Sequence, residues 1–471
     1  MLRHVADRPV NEHEHKVYTN LVKDVAYNKY FVPEFAEETP DVPVLEAVEE
    51  DWEAREARNA AAREAARWKL EKSIWKPRKK WAESGDYHDT DTLIRKCMEH
   101  DWKICLGNHN TAGFIAKLDG SPGCLEACFD VLWENVSLVY GIFDYYATLG
   151  SADDIFHIQY NGYKSILDDC DVYISGSKTC NLTAFDQLFI AVNAGSEGKH
   201  SLQRSEWVET LVRVAALRYV STGEITSFPA ALSHLISSTL MPKVDREALQ
   251  DTRAFRDANC YTQDVDNILQ SFKVSLQSIF KQYAKGTGAI GNDMDSVKLL
   301  SYVEWKRLVK DLRLLDVDFT SREQDLAFTW SRMRIVNDEN VESKKKIHQI
   351  SFEDFLEVIV RCSIFKTLPT DEQIYAAGFE DAGDFILTLR DDQPADYAEW
   401  LSRNARDWQT PPNQAAFRLV EHMCSLITRT ILQKITDTED SSKAFADAEN
   451  LTVENIELFQ KVCLRPLSKK N

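Results

Sequence analysis

"LQRSEWVETLVRVA", residues 202–215, is the stretch on which the reading of this chain turns. An apolar residue, Leu202, is followed four places on by an acid, Glu206, and then by a segment with apolar residues at helical spacing. A calcium-binding helix–loop–helix has that spacing: loop position 8 is apolar and position 12 supplies the bidentate carboxylate. Either Glu206 holds an ion, or it sits on a scaffold that has lost its metal.

The same pattern occurs twice. One unit runs through "IFDYYATLG" (142–150), "NGYKSILDDC" (161–170) and "LTAFDQLF" (182–189) to the stretch just quoted. The other runs through "IFKQYAKGT" (279–287), "YVEWKRLVKDL" (302–312) and "SREQDLAF" (321–328) to "ISFEDFLEVIVRCS" (350–363). Tyr163 pairs with Trp305, Asp169 with Asp311, Asp186 with Asp325, Trp207 with Phe355 and Arg213 with Arg361, at offsets of about 137–148. Apolar residues at three- and four-residue steps predict four amphipathic helices in each unit.

The loops can then be tested for ligands. Counting back from Glu206 puts Gly195, Glu197 and Lys199 at positions 1, 3 and 5, and His200 where the turn needs glycine. In the second unit the closing loop offers Ser343, Lys345 and Ile347. An opening loop begun at Asp171 ends on Leu182 in place of the acid, and one begun at Asp316 ends on Ala327. None of these loops supplies the oxygen set, and no cofactor or metal is expected.

On "NGYKSILDDC", "TAFDQLF" and "EWVETLVRVA", the chain resembles the degenerate EF-hand module of the tubulin-polymerization-promoting-protein family. The duplicated form is similar to EF-hand-like proteins of ciliary and flagellar axonemes. The resemblance covers roughly residues 137–221 and 275–365. It implies microtubule association and architecture rather than catalysis.

Charge is distributed unevenly. Residues 1–43, with Pro9, Pro33, Pro40 and Pro43, read as an extended arm. "VLEAVEEDWEAREARNAAAREAARWKLEK" (44–72) lacks Gly and Pro and is rich in strong helix formers, so a long charged helix is expected across 44–82, with Pro77 ending it. Residues 31–57 carry ten acids and one arginine, whereas 58–80 carry nine bases and two acids. "WKPRKKW" (75–81) is the outlier in a chain of formal net charge −19. Its Lys76, Arg78, Lys79 and Lys80, flanked by Trp75 and Trp81, are candidate contacts for an acidic partner surface such as a microtubule.

The remaining signals are weak. "GTGAIG" (286–291) follows a helix rather than a strand, which fits an interhelical loop better than a dinucleotide site. "HEH" (13–15) is polar sequence in the arm. Ten cysteines without a CxxC pair fit reduced thiols in the cytoplasm, and Cys124 and Cys128 read as small core residues. No apolar run reaches the ~18–20 residues of a membrane helix, and the N-terminus lacks a signal peptide's apolar core. The acidic balance disfavours nucleic acid. In the tail, Phe417, Val420, Met423, Cys424, Ile427, Ile431 and Ile435 form an apolar stripe for packing on the second unit. Residues 437–457 read as an acidic linker.

The fold expected is therefore all-α. It comprises a first EF-hand-like domain (83–256), a second (257–365) and a helical tail (366–471). The function expected is that of a non-enzymatic structural adaptor in a large complex of the axoneme, touching tubulin or its neighbours but neither membrane nor nucleic acid. A soluble calcium or partner sensor is the alternative.

Overall fold

In the computed structural model, which describes residues 67–150, 154–194, 200–284, 299–338, 340–407, 410–436 and 450–464, helices begin where the sequence offers caps. Ser301, Thr320, Ser351 and Thr370 each accept a backbone N–H from the first turn, and the acid or glutamine three residues on accepts the cap residue's own N–H. This reciprocal box satisfies donors that a helix start otherwise leaves orphaned. The chain is mostly α-helical, as expected, with only four two-residue strands among the described residues.

The element order runs through the two repeated segments in parallel. Helix α1 (Asp91–Gly107) precedes the first, which comprises α2 (Val136–Ala147), β1 (Ile158–Gln159), α3 (Tyr160–Asp169), α4 (Leu182–Val192), β2 (Ser201–Leu202) and α5 (Arg204–Ala215). The second comprises α6 (Lys273–Tyr283), β3 (Leu300–Ser301), α7 (Tyr302–Asp311), α8 (Ser321–Ser331), α9 (Val341–His348), β4 (Gln349–Ile350) and α10 (Phe352–Phe365). Only α9 lacks a counterpart among the described residues. β1 pairs antiparallel with β2, Ile158 opposite Leu202; β3 pairs with β4, Leu300 opposite Ile350.

Equivalent side chains make equivalent bonds. Tyr146 donates to Asp169 at 3.1 Å, and Tyr283 to Asp311 at 2.7 Å. Tyr160 donates to Asp186 at 2.8 Å, and Tyr302 to Asp325 at 2.7 Å. Tyr163 Oη and Trp305 Nε1 each donate to a carbonyl one residue ahead of those aspartates, Phe185 and Gln324, both at 3.2 Å. The correspondences Tyr163–Trp305, Asp169–Asp311 and Asp186–Asp325 are thus matched in hydrogen bonding as well as in sequence.

The strand register corrects the choice of opening loops. The strand opposite Ser201–Leu202 lies ahead of α3, at 158–159, so the loop facing the closing loop is the one before α3. Residues 171–182 and 316–327 are the connections from α3 to α4 and from α7 into α8.

Other boundaries also move. Residues 1–66 lie outside the described residues, and with them the extended arm and most of the expected long helix. Lys69 is extended (φ −137°, ψ 139°), and only a single 3₁₀ turn, Leu70–Lys72, follows. The helix does not run on to residue 82. Pro77 stands at the start of the short helix Arg78–Trp81 rather than at the end of a long one; its fixed φ suits a helix N-terminus, where no N–H is needed. From Trp68 onward the chain forms one compact unit with a continuous core, so positions 257 and 366 are not breaks between separate bodies.

Two further helices carry C-terminal packing: α11 (Ala382–Asp392) and α12 (Ala416–Thr436). The α12 stripe packs as its spacing predicts, with Val420, Met423, Cys424, Ile427, Ile431 and Ile435 buried against α10, α11 and helix Gln263–Ser271. Residues 437–449 lie outside the described residues. The expected acidic linker is replaced from Val453 by helix α13 (Val453–Leu464), whose Ile456 and Phe459 are buried; α13 packs on α12 and α6. Among the described residues no helix is long and apolar enough to cross a membrane.

Leu211 on α5 and Ile427 on α12 are both buried to within 2%. Each Leu211→Ala or Ile427→Ala change should cost about 2–5 kcal/mol through the cavity it leaves. Val317, 82% exposed, should tolerate alanine within about 0.5 kcal/mol. Urea midpoints of the three variants check this; a mild effect at Ile427 would show α12 to be peripheral.

Candidate functional site

The basic segment "WKPRKKW" divides into two groups of opposite fate. Trp75 and Arg78 are fully buried. Trp75 meets Tyr261 edge-on at 5.5 Å. Arg78 donates to the Tyr261 hydroxyl and the Ser331 carbonyl, both at 2.9 Å, and pairs with Asp354 at 2.8 Å and Glu357 at 2.6 Å. Neither can touch a partner, so both are corrected from contact residues to core residues. Helical periodicity explains the split, because the turn Arg78–Trp81 presents one face to the core and the other to solvent.

Lys76, Lys79, Lys80 and Trp81 remain exposed, Trp81 by 41%. A second basic run, "SKKKIH" (343–348), meets them: Lys346 Nζ lies 3.4 Å from the Trp81 carbonyl. Lys345 and Lys346 are exposed on α9. Sequence reasoning used this run only to dismiss a metal loop; its own charge was the signal for a surface.

Beneath the surface lies a buried charge cluster. Glu357, on α10, accepts from Arg78, from Arg256 at 2.9 Å and from Arg361 at 2.6 Å, and all four side chains are essentially without solvent exposure. Burial alone would raise the Glu357 carboxyl, but Arg256, Arg78 and Arg361 outweigh it and push it down to about 2. The first repeat has the same device in smaller form. Glu209 pairs with Arg213 one turn on at 2.7 Å and also meets His109 and Thr111. Each arginine covers a phenylalanine from a flanking segment, Arg213 over Phe114 at 5.0 Å and Arg361 over Phe255 at 3.9 Å.

Among the described residues one group, His100, Asp101 and Asp338, brings three potential metal ligands within 4.8 Å of one another. Asp101 is already held by Arg204 at 2.6 Å and by the Tyr140 hydroxyl at 2.7 Å. A guanidinium at that distance would repel a cation, so the group reads as an ion-pair network. Cys124 and Cys128 are buried on helix Cys124–Glu134, consistent with small core residues. "HEH" and "GTGAIG" lie outside the described residues. No family model, curated relative or solved structure matches the chain.

Glu357→Gln should destabilise the fold by about 3–5 kcal/mol, because three guanidiniums lose their buried counter-charge. Lys79→Glu, at the surface, should change stability by less than about 1 kcal/mol. Glu357 has a folded pKa below its unfolded value of about 4.3, so its contribution is full above pH ~5 and lost as pH falls towards 2. Equilibrium unfolding of wild type and Glu357→Gln across pH 2–6 checks both points; the variant should show the shallower acid dependence.

Proposed function

We propose that the chain is a non-catalytic structural adaptor of the ciliary or flagellar axoneme, built on two tandem EF-hand-like pairs that have exchanged calcium ligation for helix capping. The observation that carries this reading is the fate of the acids at loop position 12. With Ile158, Leu202, Leu300 and Ile350 as the paired position-8 residues, position 12 falls on Gly162, Glu206, Glu304 and Asp354. Glycine offers no carboxylate. Glu206 accepts the Gln203 N–H at 2.8 Å, Glu304 the Ser301 N–H at 2.8 Å, and Asp354 the Ser351 N–H at 3.1 Å. Each acid closes a capping box, and Asp354 also pairs with Arg78. Glu206, the acid on which the sequence reading turned, is buried and caps the start of its own helix.

A second support is that both closing helices are covered by the chain's own helices. α1 lies on α5, and α12 lies on α10. A sensor of this class works by opening a helix pair to expose an apolar groove; here those faces are already spent in the core. The axonemal and microtubule part of the proposal rests on the resemblance in sequence, with the exposed lysines of 76–80 as the contact to an acidic filament surface.

One feature favours the sensor reading. The third loop, "DMDSVKLLSYVE" (293–304), carries Asp293, Asp295 and Glu304 at positions 1, 3 and 12, although Lys298 stands where glycine belongs. Calorimetry with millimolar calcium separates the two. An adaptor gives no binding heat, and Glu206→Gln, whose amide oxygen can still close the capping box, costs less than about 1 kcal/mol, with or without calcium. Saturable heat that disappears in Glu304→Gln would establish the sensor instead. Retention of the protein on detergent- and salt-washed axonemes tests the location; release into the soluble fraction would refute it.

A further inference from the structure

We infer that the docking surface is composite, formed by Lys76, Lys79, Lys80 and Trp81 together with Lys345 and Lys346 of α9, and that its occupant is an extended, carboxylate-rich peptide segment of a partner protein. The inference rests on the adaptor reading above and names the chemistry of its partner.

The first observation is the convergence itself. The two basic runs stand 265 residues apart in sequence, yet Lys346 Nζ lies 3.4 Å from the Trp81 carbonyl. Beside that contact is a cavity of about 30 Å³ whose lining includes Trp81, Glu83, Arg334, Lys346 and Gln349. The second is the state of the charges. Among the described residues none of these lysines forms an ion pair, while the buried arginines beneath them are bound to carboxylates. Of the two acids beside the cavity, Asp354 is paired with Arg78, and Glu83 accepts the Val336 N–H at 3.2 Å while keeping its charge. Lys79 Nζ sits over the Tyr87 ring at 5.1 Å, and among the described residues the five lysines lack a carboxylate partner in a chain of net charge −19. Five lysines with one cavity-lining acid not paired to a cation, Glu83, leave a local excess of positive charge.

The character of the cations selects the occupant. Lysines are flexible point charges that attract an anion without fixing its geometry, which suits an extended, adaptable acidic chain; Arg78, the one arginine of "WKPRKKW", is buried and spent. Screening confines the favourable field to within about 8 Å at physiological salt. A duplex or a membrane would therefore meet the rest of an acidic protein as well as this face. A narrow peptide meets the face alone, and Trp81 gives its backbone an apolar rest.

The test uses the full chain and a fluorescein-labelled decaglutamate peptide, read by anisotropy, with decaglutamine, phosphatidylserine vesicles and duplex DNA as competing probes. Decaglutamate should bind in a salt-dependent way, and decaglutamine should not. Reversal at either run, K76E/K79E/K80E or K345E/K346E, should weaken binding at least about tenfold with unchanged helicity. The neutral K345Q/K346Q variant should weaken it less, which guards against a folding artefact. The proposal is overturned if the folded chain ignores decaglutamate, if reversal at 345–346 has no effect, or if vesicles or DNA are preferred. Because the peptide assay needs no axoneme, the two readings fail separately. Peptide binding without axonemal retention sinks the adaptor's location alone, and retention without peptide binding sinks this inference alone.

Discussion

Glu357 is the constraint around which the second half of the molecule is arranged. A carboxylate removed from water tolerates ionisation only with counter-charges in contact, and it has three: Arg78 from the N-terminal basic segment, Arg256 from helix Thr252–Asn259, and Arg361 from its own helix. Three segments distant in sequence thereby converge on one atom pair. Desolvation makes such a cluster expensive to form and more expensive to break, since loss of any one member strands the others. Its value here is positional. Apolar contacts can slide, whereas hydrogen-bonded charges fix Arg78 to one place and with it the orientation of the lysines around it.

The first repeat carries the corresponding glutamate, Glu209, but with a lighter set of partners: Arg213, His109 and Thr111. The contrast shows how a duplicated scaffold diverges without changing its helices. The tyrosine–aspartate bonds on the outer helices are the same in both copies, because they close the helix–loop–helix unit itself. What differs is the set of segments recruited to the closing helix: α1 in one repeat, α12 in the other.

That recruitment bears on function through rigidity. On the proposed adaptor reading, acids that cap the helices take the place of ion ligands, and closing helices covered by the chain's own α1 and α12 present no groove. Such a body suits a fixed place in an assembly better than a switching one. On that reading its partner contacts lie on the surface, and the lysines around Trp81, none of them ion-paired among the described residues, are the proposed place.

The sequence alone determined the helices, the repeat and the poor ligand sets of the two closing loops. Apolar spacing of three and four, capping residues followed by an acid, and a glycine or lysine where calcium needs oxygen are local facts, legible residue by residue. Lys76, Lys79, Lys80 and Trp81 were legible as a surface in the same way. Only the tertiary structure decided which strands pair, since two-residue strands carry no alternation to read and their partners lie 42 to 50 residues away. It also decided that Trp75 and Arg78 are core and that Lys345 and Lys346 join the exposed lysines. A charge in a sequence states only that a counter-charge or water must be found; whether Arg78 finds solvent or Glu357 depends on a contact that no local pattern encodes.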